Sequence, residues 1–404
     1  MKRTRYKYSR IFRAIYAFLG FTYSEISDLG DYIVISLRRF GKTSICPVCG
    51  RRNKHSAEYQ IRIIRDSDLG PKKCFLKFNE YRIYCKCGFK GYERLSFVRP
   101  YARYSIRFEE SVYRLCPHMS ITDVANFFDI DWKTVKDIDI HYTKERIKPL
   151  AELSPRRIGV DEVAYAKGQK YLTIVRDIDL GLVIWIGLGR KKETLDLFFA
   201  ELGFIKSAQI TVVTMDMWDP YIASVNEHCP GADIVFDKFH IVKIVSEALD
   251  KVRKMLFENA TDEERKSMKR KRWLILRRND RLDDEQKQQL KTLMKKNKPL
   301  YKAYLLKEHL SNILDGFDLA TAVNRLEGWF KNIDSSKLEP FQKCAETIRN
   351  HLYGVLNYFR HLVTNAGSEG LNNKINLIKR RAYGYTDIDY FKMKIFQACG
   401  VISG

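Results

Sequence analysis

Short apolar runs rich in β-branched residues punctuate residues 157–240, separated by segments whose apolar positions recur every three to four residues. This pattern predicts β-β-β-α-β-α-β. Strands are expected near 157–163, 171–177, 183–188, 210–215 and 233–236, and helices near 193–202 and 219–226. Upstream, residues 1–45 read as a short helix followed by a strand at 32–37, and alternation marks strands at 59–64 and 75–84. Residues 104–145 turn helical. Residues 241–345 are long, highly charged and helical by periodicity, and 346–398 are helical again. The expected architecture is therefore α+β and multidomain: a β segment at 1–98, a helical module at 99–150, an α/β core built from 151–244 and 346–404, and a helical insertion at 245–345.

Composition sharpens this picture. Of the 404 residues 45% are hydrophobic, which is enough to build cores and excludes wholesale disorder. The formal net charge of +23 is spread along the chain rather than held in a tail, which points to a polyanionic partner, nucleic acid foremost. No stretch approaches the roughly 18 apolar residues of a membrane span. Lys7, Arg10 and Arg13 break any signal-like apolar segment near the start. Nine cysteines, an odd number and mostly scattered, argue against a disulfide framework and for a reducing, cytoplasmic location.

Three carboxylates carry the candidate chemistry. Asp161 and Asp216 each end a short β-branched run, and Glu369 opens a basic helix. Such a set suits two divalent cations, Mg²⁺ or Mn²⁺, around a scissile phosphate, because these ions prefer carboxylate oxygens and keep positions open for substrate. Neighbouring acids are weaker choices. Glu162 points to the opposite strand face from Asp161. Asp219, before Pro220, is expected to cap a helix; Asp177 ends a strand that could approach the site; Glu327 lies inside the insertion and ranks below Glu369. Asp237 and His240 leave two readings open: contact with DNA or the scissile phosphate, or a helix cap beside a packed histidine.

Two upstream features fit a DNA-acting protein. Cys46-Pro47-Val48-Cys49-Gly50 is a thiolate knuckle, and Cys85-Lys86-Cys87-Gly88 is its expected partner in holding a structural Zn²⁺. The one-residue spacing of Cys85 and Cys87 is unusual, so Cys74 or His55 are alternative ligands. Residues 120–136 read as a helix-turn-helix, with Ser120 or Thr122 capping the first helix, Val124, Ala125 and Phe128 on its inner face, and Asp131 capping the second. Trp132, Lys133, Thr134 and Lys136 would then face the major groove or the phosphates. Lys374, Lys379, Arg380 and Arg381 follow Glu369 and suit flanking phosphates. The basic run 266–278 around Trp273 suits DNA or a solvated face equally well.

Taken in order, these motifs resemble the ISL3-family insertion-sequence transposases. The resemblance is carried by the two cysteine pairs, by residues 120–136, and by Ile158-Gly159-Val160-Asp161-Glu162. It continues through Thr214-Met215-Asp216-Met217, Asp237-Lys238-Phe239-His240-Ile241, and above all Glu369-Gly370-Leu371-Asn372-Asn373-Lys374 through Tyr385. It implies an RNase H-like DDE core with Asp161, Asp216 and Glu369 as its acids, a zinc-ribbon-like N-terminal domain, and double-stranded DNA as partner and substrate. Joining two element ends implies a homodimer on DNA, at the bacterial nucleoid. A non-catalytic DNA-binding regulator or a decayed transposase would need only the zinc segment, the helix-turn-helix and the charge. The carboxylates discriminate against that reading, and the helix-turn-helix discriminates against a structure-specific nuclease.

Overall fold

The structure, a computed structural model, describes residues 18–54, 56–316, 318–363 and 366–402, without the side chains of Ser267, Ala366, Ser368 and Glu369. The short helix expected near the N-terminus lies outside the described residues. The chain forms two compact units, Met1–Glu145 and Arg146–Gly404.

In the first unit, β1 (Phe21–Asp28), β2 (Tyr32–Arg39), β6 (Lys72–Tyr84) and β5 (Tyr59–Leu69) form a sheet in the order β1-β2-β6-β5. β3 (Thr43–Ile45) pairs with β4 (Arg52–Lys54), and β7 (Lys90–Tyr92) pairs with β6. Alternation along β6 buries Cys74, Leu76 and Phe78 against Phe21, Ile35, Ile64 and Phe97. Each large apolar side chain so buried contributes about 1.5–3 kcal/mol. Strand β1 is not evident from the sequence. It is an edge strand whose alternation is interrupted between Tyr23 and Glu25, and of its residues only Phe21 is fully buried.

Three helices complete this unit: α1 (Ile106–Leu115), α2 (Ile121–Phe128) and α3 (Trp132–Arg146). Ser120 caps α2 by accepting from the Asp123 N–H at 3.1 Å. Asp129 ends that helix in the left-handed region, at φ 50°. Asp131 Oδ1 accepts from the Lys133 N–H at 2.8 Å and opens α3. Val112, Val124, Val135 and Ile138 form the core of this module.

In the second unit, β8 (Arg157–Ala166), β9 (Lys170–Asp177), β10 (Leu182–Leu188), β11 (Val212–Met215) and β12 (Asp233–Phe236) form one sheet, ordered β10-β9-β8-β11-β12. β8, β9 and β10 are antiparallel neighbours, and β11 and β12 run parallel to β8. The first strand and a later parallel strand therefore lie side by side, as expected of an RNase H-like core. Helices α4 (Lys192–Leu202) and α5 (Asp219–His228) make the crossovers that parallel pairing requires.

The insertion begins within α6 (Lys238–Glu258). It continues through α7 (Asp262–Met268), α8 (Arg272–Leu276), α9 (Asp284–Lys296), α10 (Lys298–Asp315), α11 (Leu319–Asp334) and α12 (Glu339–Asn350). Ile313, Leu326 and the fully buried Trp329 share one apolar core with Ile158 and Val213 of the sheet. The Trp329 indole N–H donates to Leu306 O at 2.8 Å, so this large ring is buried without an unpaired donor. Helix α13 (Leu352–His361) packs on β12, where a Cβ on Gly354 would lie 2.4 Å from the Phe236 ring. Helices α14 (Ala366–Arg381) and α15 (Ile388–Cys399) bring Ile375, Phe391 and Ile395 against Val163, Leu172, Ile174 and Ile186 of the sheet.

Candidate active site and zinc centre

Register brings the two aspartates together. The last β8–β11 pair is Gly159 with Thr214, and Asp161 and Asp216 each lie two residues beyond it. β11 stops at Met215 while β8 continues, which opens a pocket of about 210 Å³ lined by Asp161, Glu162, Asp216, Trp218, Tyr221 and His240. Asp237 follows the β11–β12 pair Met215–Phe236 and so stands beside Asp216. Three acids thus lie at one level across three adjacent parallel strands, where β11 and β12 end and β8 runs on.

Of the two open readings of Asp237 and His240, the helix cap is present. Asp237 caps α6, accepting from the Phe239 N–H at 3.1 Å. His240 is not merely packed, since its Nε2 lies 2.9 Å from Asp216 Oδ1. Burial opposes a charge on this ring, but the Asp216 carboxylate prevails and raises the His240 pKa. Burial pushes the Asp161 carboxyl up to about 6, and the Asp216 charge adds to the rise. Ligand atoms of Asp216, Asp237 and His240 lie within 4.8 Å of one another. Carboxylate oxygens with one imidazole, in a pocket where negative charge is penalised, are a donor set that fits a divalent cation.

Helix α14 reaches the same acids from the other side. Asn372 Nδ2 donates to Asp161 Oδ2 at 2.9 Å, and Asn372 Oδ1 is buried without a hydrogen-bond partner. Glu369 lies on this helix one turn before Asn372; its side chain is outside the described ones. A Cβ on Gly367 would meet Arg176 Nη1 at 2.2 Å, so the start of α14 runs tightly over the buried Arg176 guanidinium. Burial lowers the Arg176 pKa, against the pull of the Asp161 and Asp237 carboxylates. Asn372 lies in the Glu369–Lys374 motif but has no role assigned from the sequence, and Arg176, an Arg in a strand, carries no chemical pattern there.

The other acids take different places. Glu162 alternates away from Asp161 along β8 yet still lines the pocket, paired at 3.1 Å with Arg190 Nη1. Asp177 pairs opposite Ile158, towards the far end of β8, and accepts from the Asp179 and Leu180 N–H groups of the β9–β10 turn. Asp219 is the first residue of α5 rather than its cap, a position held by Trp218. Pro220 sets φ in the first turn and shifts the helix start one residue earlier than expected. Glu327 is exposed on α11 and does not line the pocket.

Cys46, Cys49, Cys85 and Cys87 bring their sulfurs within 4.8 Å of one another. Sγ of Cys46 is 3.8 Å from that of Cys87, and Sγ of Cys49 is 3.5 Å from that of Cys85. A tetrahedron of Zn–S bonds near 2.3 Å has edges of about 3.8 Å, so the four thiols fit the ion. The Cys87 backbone N–H is the largest influence holding the Cys85 thiol down, at about 6, towards the thiolate that zinc requires. Cys74 is not a ligand, because it is buried in the sheet core. His55 lies outside the described residues.

On α3, Trp132 and Lys133 are exposed and Thr134 and Lys136 half-buried. On α14 the Lys374 ammonium donates to Ala398 O and that of Lys379 to Ala164 O at 3.1 Å, while Arg380 and Arg381 are exposed. In the run 266–278 Trp273 is exposed beneath the Arg272 guanidinium, and Ile275 is buried.

Comparison with known proteins agrees with this geometry. Residues 158–395 match the transposase model of the ISL3 family, and 93–143 the helix-turn-helix domain of transposase family ISL3. Residues 42–87 match the zinc-finger of transposase IS204/IS1001/IS1096/IS1165. The chain belongs to the ISL3 transposase family. It is 32% identical over 372 residues to the transposase for insertion sequence element IS1001 of Bordetella parapertussis, covering 91% of this chain and 92% of that protein. It is 29% identical over 393 residues to the transposase for IS1557 of Mycobacterium tuberculosis, covering 89% and 87%. This ISL3 transposase therefore carries a helix-turn-helix for DNA and a Cys₄ cluster that supports a structural zinc, and its family implies a divalent metal. Among its described residues no helix is long and apolar enough to cross a membrane.

Proposed function

We propose that the chain is a DDE transposase. It binds the terminal inverted repeats of its insertion sequence and catalyses strand cleavage and transfer on double-stranded DNA, with Asp161, Asp216 and Glu369 as its acids. The observation that carries this reading is the common level of Asp161 and Asp216 at one pocket, joined there by the helix that bears Glu369. Mg²⁺ or Mn²⁺ held by these acids would supply Lewis acidity for an in-line phosphoryl transfer. Asp161 and Asp216 hold the metal side of the pocket. His240 pairs its charge with one oxygen of Asp216, and Asn372 fixes one oxygen of Asp161 by a hydrogen bond. Buried Arg176 offsets part of the acids' charge.

In the first step water attacks the phosphodiester at the element end and releases a 3′ hydroxyl. In the second that hydroxyl attacks a phosphodiester of target DNA, its oxygen bonds to the phosphorus, the target strand's own 3′ oxygen leaves as a hydroxyl, and the element end is joined to the target 5′ phosphate. Zinc on Cys46, Cys49, Cys85 and Cys87 has four protein ligands and no open position, so its role is structural. The α3 residues Trp132, Lys133, Thr134 and Lys136 read or clamp the end, and Arg380 and Arg381 meet flanking phosphates. Two ends must be brought together, which calls for a homodimer on DNA at the nucleoid of a bacterial cytoplasm. Alanine at Asp161, Asp216 or Glu369 is expected to abolish cleavage of a duplex carrying the element ends while end binding persists. Full cleavage by any one variant removes that residue from the set. Binding without nicking by the wild-type protein in Mg²⁺ or Mn²⁺ replaces this reading with a regulator or a decayed transposase.

A further inference from the structure

Trp218 stands two residues after Asp216 and forms a wall between two cavities. One is the acid pocket, and the other is a side cleft of about 710 Å³ lined also by Tyr171, Gly189, Arg190 and Pro220. The indole is 37% exposed, yet it is anchored: its Nε1–H donates to Arg190 O at 3.0 Å. The Arg190 guanidinium lies 4.2 Å from the Tyr171 ring centroid and 5.1 Å from that of Trp218, and its Nη1 is held at 3.1 Å by Glu162. This is a fixed stack of two aromatic rings and a guanidinium, open to solvent, next to paired carboxylates. Part of the Trp218 face stays open to solvent beside the Arg190 guanidinium, an arrangement that can stack a planar ligand.

We propose that the side cleft takes an unpaired nucleobase, that of a nucleotide flanking the cleaved phosphodiester, stacked on Trp218. The inference rests on the transposase reading of the acid pocket. A phosphate at Asp161 and Asp216 leaves the base of the adjoining nucleotide within reach of the wall that the two cavities share. A base still paired and stacked in a duplex has no free face to offer, so the cleft selects a base out of the helix. Stacking on an indole is tolerant of base identity, so the contribution is to local melting and positioning rather than to sequence readout.

The test compares two versions of an element-end duplex, one fully paired and one with the flanking nucleotide unpaired by a mismatch, bound to the full chain in Ca²⁺. Wild type is expected to favour the unpaired version roughly tenfold, and Trp218→Ala to lose that preference while keeping its affinity for the paired duplex. Trp218→Phe keeps a ring but loses the Arg190 anchor, and is expected to retain most of the preference. Equal affinities in wild type, or an undiminished preference in Trp218→Ala, overturns the proposal. Strand cleavage by wild type in Mg²⁺, abolished in Asp161→Ala, is read separately. A chain that cleaves without the preference refutes the base cleft alone, and one that shows the preference without cleavage refutes the catalytic reading alone.

Discussion

Asn372 on α14 donates its side-chain amide to Asp161 on β8 at 2.9 Å, tying the helix that carries Glu369 to the first strand of the sheet. Glu369 and Asp161 are 208 residues apart in sequence, and this bond helps set the rotation of one element against the other. Partners that orient a metal-binding carboxylate act through geometry. Asn372→Ala is therefore expected to lower strand cleavage by about 10–100-fold while leaving end binding intact. Unaltered cleavage rates in Asn372→Ala would mean that the packing of Leu371, Ile375 and Ile378 and the Lys379–Ala164 bond suffice to place α14.

The zinc centre makes a separate prediction. Cys46→Ser or Cys49→Ser is expected to lose one zinc per chain by metal analysis and to destabilise the first unit, because metal binding is coupled to folding in small ribbons. Cys74→Ser is expected to keep its zinc, since Cys74 packs in the sheet core beside Leu76. Zinc loss in Cys74→Ser with retention in Cys46→Ser would reverse the ligand assignment.

Much of the catalytic sheet is legible in the sequence because its strands are buried. β11 and β12 read as short β-branched runs, and their ends draw attention to Asp216 and leave Asp237 with two readings. The cysteine pairs are legible for a similar reason, as spacing alone limits what two thiols can hold. β1 is hidden because an edge strand with one fully buried residue leaves little periodic signal. The roles of Asn372, Arg176 and Trp218 are hidden because they come from contacts made across the fold: α14 onto β8 and over β9, and the step after β11 onto the β10–α4 turn. Asp219 shows a local ambiguity, where a Pro at the second helical position fits two adjacent helix starts.

Packing behind the acids should be sensitive to volume. A Cβ on Gly354 would sit 2.4 Å from the Phe236 ring, and Phe236 directly precedes Asp237. Gly354→Ala gains helix propensity in α13, but the clash must move the helix or the ring, at a cost of about 1–3 kcal/mol for overpacking. Lower stability in denaturant unfolding is expected, with cleavage falling as β12 shifts. A variant as stable as wild type would show that α13 yields freely.

The basic end of α14 yields the last prediction. Lys374 and Lys379 donate to the backbone carbonyls of Ala398 and Ala164, and Arg380 and Arg381 are exposed in the last turn. Cations at a helix C-terminus favour the dipole, so their positions suit the fold as well as DNA. The two roles separate by salt dependence. Each lost phosphate contact reduces the slope of log affinity against log salt by about 0.9 on duplex DNA. Arg380→Ala combined with Arg381→Ala is expected to weaken end binding most at low salt and to flatten that slope by up to about 1.8 if both arginines meet phosphates. Lys374→Ala is expected to leave the slope unchanged, because its ammonium is already engaged within the protein. A double-arginine variant with the wild-type slope would assign these residues to the fold and turn this face of α14 away from DNA.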